Sequence, residues 1–147
     1  PSREALIEAS AARLARALHS AIAKRGAACA ALSGGSTPAP IYRALAAAPL
    51  AWPKITFALV DERFVPPSSP ASNQGMIEGA LAPALAAGAR LLPMYAASQT
   101  LEAAADCADA LYAPLSYDIA LMGMGDDGHT ASWFPGIFGL GALLDPR

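Results

Sequence analysis

The sequence predicts an α/β fold, a parallel sheet with helices on both faces. Two observations lead there. Short apolar runs without helical periodicity alternate along the chain with longer stretches whose apolar residues recur at helical spacing. Three of those runs end in loops rich in glycine or charge: "SGGSTP", "DER" and "GMGDDGH". In a parallel sheet such loops emerge on one edge, outside the carboxyl ends of the strands, where these folds bind ligands. A length of 147 residues suits one domain, 1–147, with a real core.

Residues 2–25 are predicted to form an amphipathic helix. Ser2 can cap it, Ile7, Leu14, Leu18 and Ile22 form its stripe, and Gly26 follows the basic pair Lys24 and Arg25. His19 lies beside that stripe, as a packing or surface residue. The apolar run 27–32 reads as a buried strand stopped by Ser33-Gly34-Gly35-Ser36. Pro38 and Pro40 fit only the first turn of the next helix, where missing N–H groups cost little. "KITFALVDERFV" is the clearest strand, with Ile55, Phe57, Leu59 and Val60 ending at Asp61 and Glu62. After the proline-rich loop, Ser72 or Asn73 can cap a helix through Leu81. "ARLLPMY" offers a short strand stopped by Pro93, Thr100 to Leu111 a helix with an alanine-rich face, and "YDIALMGMG" a last strand. No closing element is predicted in "GLGALLDPR", so the chain is expected to be C-terminally incomplete.

Composition excludes several classes. The hydrophobic fraction is 54%, yet no uninterrupted apolar run approaches the roughly 20 residues of a membrane span. Charges spread through the first 25 residues, from Arg3 to Arg25, do not fit a signal peptide. A net charge of −2 without a basic stripe gives nucleic acid nothing to bind. Cys29 and Cys107 read as small buried hydrophobes in a reducing compartment, so a cytoplasmic location is expected. With two histidines far apart and no cysteine pair at ligand spacing, no metal site is expected. The chain is expected as a monomer or weak homodimer.

"LSGGSTP" has the makings of an anion-binding loop. Gly34 and Gly35 let backbone approach a phosphate, Ser36 and Thr37 add hydroxyls, and a helix N-terminus follows. The same residues also make an ordinary strand-to-helix turn. In "DERFVP", strand alternation puts Asp61 and Arg63 on one side, and the guanidinium fork suits phosphate or carboxylate; a solvated charge cluster is the alternative. "GMGDDG" spells Gly-x-Gly-x-x-Gly but comes too late for a dinucleotide fingerprint, with no room for the acidic residue about 20 positions on.

"GDDGHT" places His129, a base near neutrality, after a glycine turn. If Asp127 or Gly128 caps a short helix beginning near His129, the helix end keeps the imidazole neutral while a carboxylate fixes its tautomer. Otherwise it is a surface histidine in a turn. Ser36 and Ser132 lack a nucleophile elbow.

Taken together and in this order, "LSGGSTP", "VDERFVPPSSPASNQG" and "LMGMGDDGHTASWFPG" resemble the 6-phosphogluconolactonases, whose superfamily includes glucosamine-6-phosphate deaminases and ribose-5-phosphate isomerases. The resemblance runs from the first helix to near Gly136. It implies a Rossmann-like α/β fold, a phosphorylated sugar lactone as substrate, and hydrolysis of 6-phospho-D-glucono-1,5-lactone in the oxidative pentose phosphate pathway, without metal or nucleotide. Carried over, Gly34, Gly35, Ser36 and Thr37 contact the phosphate. Arg63, with Asp61 and Gly125, binds substrate, and His129 is the general base with Asp127 beside it. Backbone N–H groups of a glycine turn are candidate oxyanion donors.

The deaminases typically read Asp-Glu-Tyr in the second loop and continue the histidine loop into Phe-Asn-Glu. Here the stretches are "DER" and "HTASWFPG", which favours the lactonase over a deaminase-like alternative. Trp133 stands where a leucine is usual. Family members are longer, and the resemblance implies a further basic residue for the phosphate site from the region beyond, with exposed apolar sheet edges without it. A non-catalytic sugar-phosphate-binding module is the remaining alternative.

Overall fold

The computed structural model describes residues 2–97 and 100–145. The first helix, α1 (Arg3–Arg25), starts where the Ser2 hydroxyl accepts the Ala5 N–H. It ends at Gly26, whose φ of 80° lets its N–H close onto the Ile22 carbonyl. Ala11, Leu14, Leu18 and Ala21 are its buried face; Ile7 and Ile22 flank it, and His19 is exposed. Next come β1 (Ala28–Leu32), α2 (Pro38–Ala46) and, after a 3-10 turn at Trp52–Lys54, β2 (Ile55–Leu59). Lys54 therefore precedes the strand it was expected to open.

The helix expected to run through Leu81 is instead two. Leu81, at φ −100° and ψ 11°, ends α3 (Asn73–Ala80), and α4 (Ala82–Ala86) restarts with Pro83 in its first turn, where the ring is tolerated. Of the two predicted caps, Ser72 is the one used, accepting the Gly75 N–H at 3.0 Å. β3 is only Arg90–Leu91, α5 is Leu101–Tyr112 capped by Thr100, and β4 is Ile119–Leu121. A single turn, α6 (Leu140–Leu143), forms in the tail that was expected to hold no helix; the last two residues of that tail lie outside the described residues.

All four strands are parallel, in the order β3-β2-β1-β4. The β1→β2 and β2→β3 steps move one way along the sheet and the β3→β4 step returns, so right-handed crossovers put α2, α3 and α4 on one face and α5 on the other. α1 packs beside α2. Between those helices and the sheet lies the core, where Ala28, Ala30, Leu32, Ile55, Phe57 and Leu59 are all buried. The opposite face is built of smaller residues. Cys29 and Ala58 are buried there, whereas Ala120 on the edge strand β4 is exposed, so the two faces are unequally covered. Cys29 carries a thiol that burial pushes up from its ordinary value. Cys107, expected to be buried, is exposed on α5, because the stripe that enters the interior there is carried by Ala104.

Two side chains finish the ladder where strands are short. Asp118 accepts the Cys29 N–H at 2.9 Å, returns its own N–H to the Cys29 carbonyl and pairs with Arg25, extending β4 toward α1. Tyr112 inserts its hydroxyl between β2 and β3: it accepts the Leu59 N–H at 3.1 Å and donates to the Leu92 carbonyl at 2.9 Å. No helix among the described residues is long and apolar enough to cross a membrane.

Candidate active site

The loops after β1, β2 and β4 meet at one sheet edge, as the parallel topology requires. They wall a cavity of about 490 Å³. Gly34, Gly35, Ser36, Thr37, Asp61, Arg63, Gly125 and His129 all line it; Asp127, the other residue expected in the site, is not part of the lining and contacts His129.

The first loop is fastened by Ser33, which is 4% exposed. Its N–H donates to the Leu121 carbonyl at 3.1 Å, its Oγ accepts the Gly123 N–H at 3.0 Å, and its carbonyl accepts the Tyr42 hydroxyl at 2.7 Å. Burial raises the Tyr42 hydroxyl far above its ordinary pKa, so it stays a donor. Thr37 sits at the start of α2 in helical conformation and makes no capping bond with its side chain. Pro38 and Pro40 lack N–H groups, which confines the donors at this helix end to Ser36, Thr37 and Ala39.

In the second loop the expected alternation holds. Asp61 and Arg63 face the cavity, and Glu62 turns to the N-terminus of α3. Its carboxylate accepts the N–H groups of Arg63, Asn73 and Gln74 at 2.7–2.8 Å and the Ser72 hydroxyl at 2.9 Å. A negative charge is stabilised there by the unpaired amides and the helix dipole. The "DER" triplet is therefore an organised corner and not a solvated charge cluster.

The third loop holds the histidine without a helix. Gly128 takes a φ of 86°, and its N–H reaches back to the Gly125 carbonyl at 2.9 Å. No helix begins at His129; the next one is α6, so the anticipated helix-end effect on the imidazole is absent. A carboxylate does the orienting. Asp127 Oδ1 lies 2.5 Å from His129 Nδ1 and 3.2 Å from the His129 N–H. This hydrogen bond holds the Asp127 carboxyl below its ordinary pKa. The ring stacks at 4.4 Å from Phe134 and lies so close to Gly125 that a Cβ there would stand 2.2 Å from Cε1. Beyond it, Ala131 adopts a left-handed φ of 53° in a tight turn closed by the Thr130–Trp133 bridge.

Within the histidine loop, the glycine amides are not free to serve as the expected donors. The N–H groups of Gly123, Gly125 and Gly128 are already given to Ser33 Oγ, the His129 carbonyl and the Gly125 carbonyl. Gly125 leaves room for the ring, since a Cβ there would collide with it. Among the described residues, no group of three His, Cys, Asp or Glu side chains is arranged to hold a metal ion.

Sequence reading missed three connectors. Ser33 joins the first loop to the third, and the Ser132 hydroxyl joins the third to the second by donating to Asp61 Oδ2 at 2.8 Å. Asn73, seen only as a helix cap, is 3% exposed and binds both Arg63 and Asp61. Its signal was a polar residue just after a rigid proline loop that returns toward a charged strand end.

A family model described as glucosamine-6-phosphate isomerases/6-phosphogluconolactonase matches residues 1–141. A 6-phosphogluconolactonase of Mesorhizobium japonicum is 47% identical over 99% of this chain and 62% of its own length. Another, from Rhizobium meliloti, is 49% identical over 97% of this chain and 62% of its own. The crystal structure of a 6-phosphogluconolactonase from Shewanella baltica matches with a TM-score of 0.91 at 32% identity, over 99% of this chain and 64% of that one. A monomeric glucosamine-6-phosphate deaminase shares the fold, with a TM-score of 0.76 at 23% identity over 92% of this chain and 57% of that one. The chain spans a little over three fifths of the length of the curated relatives, 62% of each.

Proposed function

The chain belongs to the glucosamine-6-phosphate isomerase/6-phosphogluconolactonase family, and from that premise we propose that its protein hydrolyses 6-phospho-D-glucono-1,5-lactone to 6-phosphogluconate in the oxidative pentose phosphate pathway, with His129 as general base. One observation carries the reading: a carboxylate-oriented histidine and an arginine beside a glycine-serine loop share one cavity.

With Asp127 on Nδ1, the neutral imidazole keeps its proton there and presents Nε2 as the acceptor. Nε2 takes a proton from water as the water oxygen bonds to C1 of the lactone. The tetrahedral intermediate then expels the ring oxygen, which takes the proton back from the imidazolium, and the carboxylate is released. Ser36, Thr37 and Arg63 hold the phosphate, fixing C1 relative to the histidine. "DER" in place of Asp-Glu-Tyr, and the lack of a glutamate in "HTASW", favour this reading over a deaminase. A cytoplasmic monomer or weak homodimer fits the same reading.

The test is lactone hydrolysis by the full chain with His129 intact and as His129→Ala. A fall of about 10²-fold or more is expected for removal of a general base; undiminished turnover overturns the assignment. Calorimetry with 6-phosphogluconate tests the sugar-phosphate site separately, and no binding at millimolar ligand sinks it.

A further inference from the structure

We propose that Asn73 is the positioning residue of the anion site: its side-chain amide aims the Arg63 guanidinium and sets its spacing from the glycine loop. The inference rests on the sugar-phosphate reading of the cavity and adds to it a residue outside the three loop motifs.

Three contacts carry it. Arg63 Nη1 donates to Asn73 Oδ1 at 3.0 Å and to the Ala71 carbonyl at 2.7 Å, so both protein acceptors grip the same nitrogen of the fork. The Asn73 Nδ2 donates to the Asp61 carbonyl at 2.9 Å and to Asp61 Oδ1 at 3.3 Å, locking the amide orientation. Its backbone N–H is given to Glu62 Oε1 at 2.8 Å. One residue, 3% exposed, is thereby bonded to all three residues of "DER", to Asp61 and Arg63 through its side chain and to Glu62 through its backbone.

The same amide touches the first loop. A Cβ on residue 34 would stand 1.8 Å from Asn73 Oδ1 and 2.2 Å from its Cγ. Gly34 therefore has no side chain because Asn73 fills that space, and the carboxamide is a spacer between the phosphate-loop backbone and the arginine. Both flanking residues line the cavity. An isosteric aspartate separates shape from chemistry. Asn73→Asp keeps an acceptor for Arg63 but loses the donor to Asp61. It also sets a second carboxylate beside Asp61 and offsets the guanidinium charge that an anion would use.

The experiment measures steady-state kinetics and 6-phosphogluconate affinity of the full chain as wild type, Asn73→Asp, Arg63→Ala and the double variant. An interaction made with the phosphate in ground and transition states alike appears in KM, so a rise of about tenfold in KM is expected, with kcat falling less than about threefold. Ligand affinity falls in parallel, and the effect largely disappears in the Arg63→Ala background because both changes remove one interaction. A loss in kcat with unchanged KM, or an undiminished effect without Arg63, overturns the proposal. Should Asn73→Asp fail to fold, Asn73→Ser gives the same readings on a side chain that keeps a hydroxyl. If wild type binds 6-phosphogluconate but does not hydrolyse the lactone, the catalytic reading falls while the affinity series still decides the role of Asn73.

Discussion

Asp127 Oδ1 meets both the ring Nδ1 and the backbone N–H of His129, at 2.5 and 3.2 Å. A single carboxylate oxygen therefore fixes the ring and the chain that carries it. Asp127→Asn replaces an acceptor-only group by an amide that can also present its NH₂ to Nδ1, favouring the wrong tautomer. The expected outcome is a fall in kcat of roughly 10²-fold or more, by analogy with carboxylate removal from histidine dyads, with KM little changed. Steady-state assay of the full chain checks it.

The same contact gives a pH signature. The Asp127 carboxyl is held below its ordinary 3.8 by the hydrogen bond from His129. A depressed carboxylate contributes its stabilisation above the unfolded-state value and loses it as pH falls through the lower folded-state value. The ring should accordingly remain fixed down to the acid side of the ordinary carboxylate range. A carbon-13 titration of Asp127 with a midpoint at or above 3.8 would contradict this.

Gly125 predicts a steric effect. A methyl group there would stand 2.2 Å from His129 Cε1 and 2.8 Å from Asp127 Oδ1, so ring or loop must move. Displacing a catalytic group by about 1 Å can cost on the order of 10²-fold in rate. Gly125→Ala should show that loss in kcat with the melting temperature nearly kept, since the site is at a half-exposed loop. Unchanged turnover would mean the observed ring position is not the working one.

Tyr112 predicts a stability effect away from the chemistry. Its hydroxyl serves the Leu59 N–H and the Leu92 carbonyl, and Tyr112→Phe leaves both without that partner. A loss of about 1–3 kcal/mol is expected from unmade bonds at a partly buried position, measurable by urea unfolding. Burial pushes the phenol up to about 12. A raised value means the contribution is whole below the unfolded value near 10 and is lost as pH rises through about 12, so the Tyr112→Phe deficit should shrink across that interval.

Much of this architecture is local, and local features are legible in a sequence. Ser2 and Gly26 bound α1 as expected, and "DER" alternates as a strand end should. The convergence of the three loops followed from parallel order alone. What escaped depends on partners distant in the chain. Asn73 reads as a cap until Gly34 and Arg63 are seen around it. Leu81 breaks a helix whose apolar pattern continues across it, and Cys107 is exposed because Ala104 carries the inward face of its helix. The amides of Gly123, Gly125 and Gly128 are taken up by contacts that no spacing reveals.

Ser33 has a consequence for selectivity. Because it bonds Leu121 and Gly123 from the end of β1, the gap between the glycine-serine loop and the histidine loop is set by strand pairing rather than by loop conformation. Such a site measures its ligand like a caliper with fixed jaws. On the proposed reading, a phosphorylated lactone one carbon shorter is expected to be turned over more slowly for want of length rather than for want of affinity, which a comparison of kcat and KM for the two lactones checks.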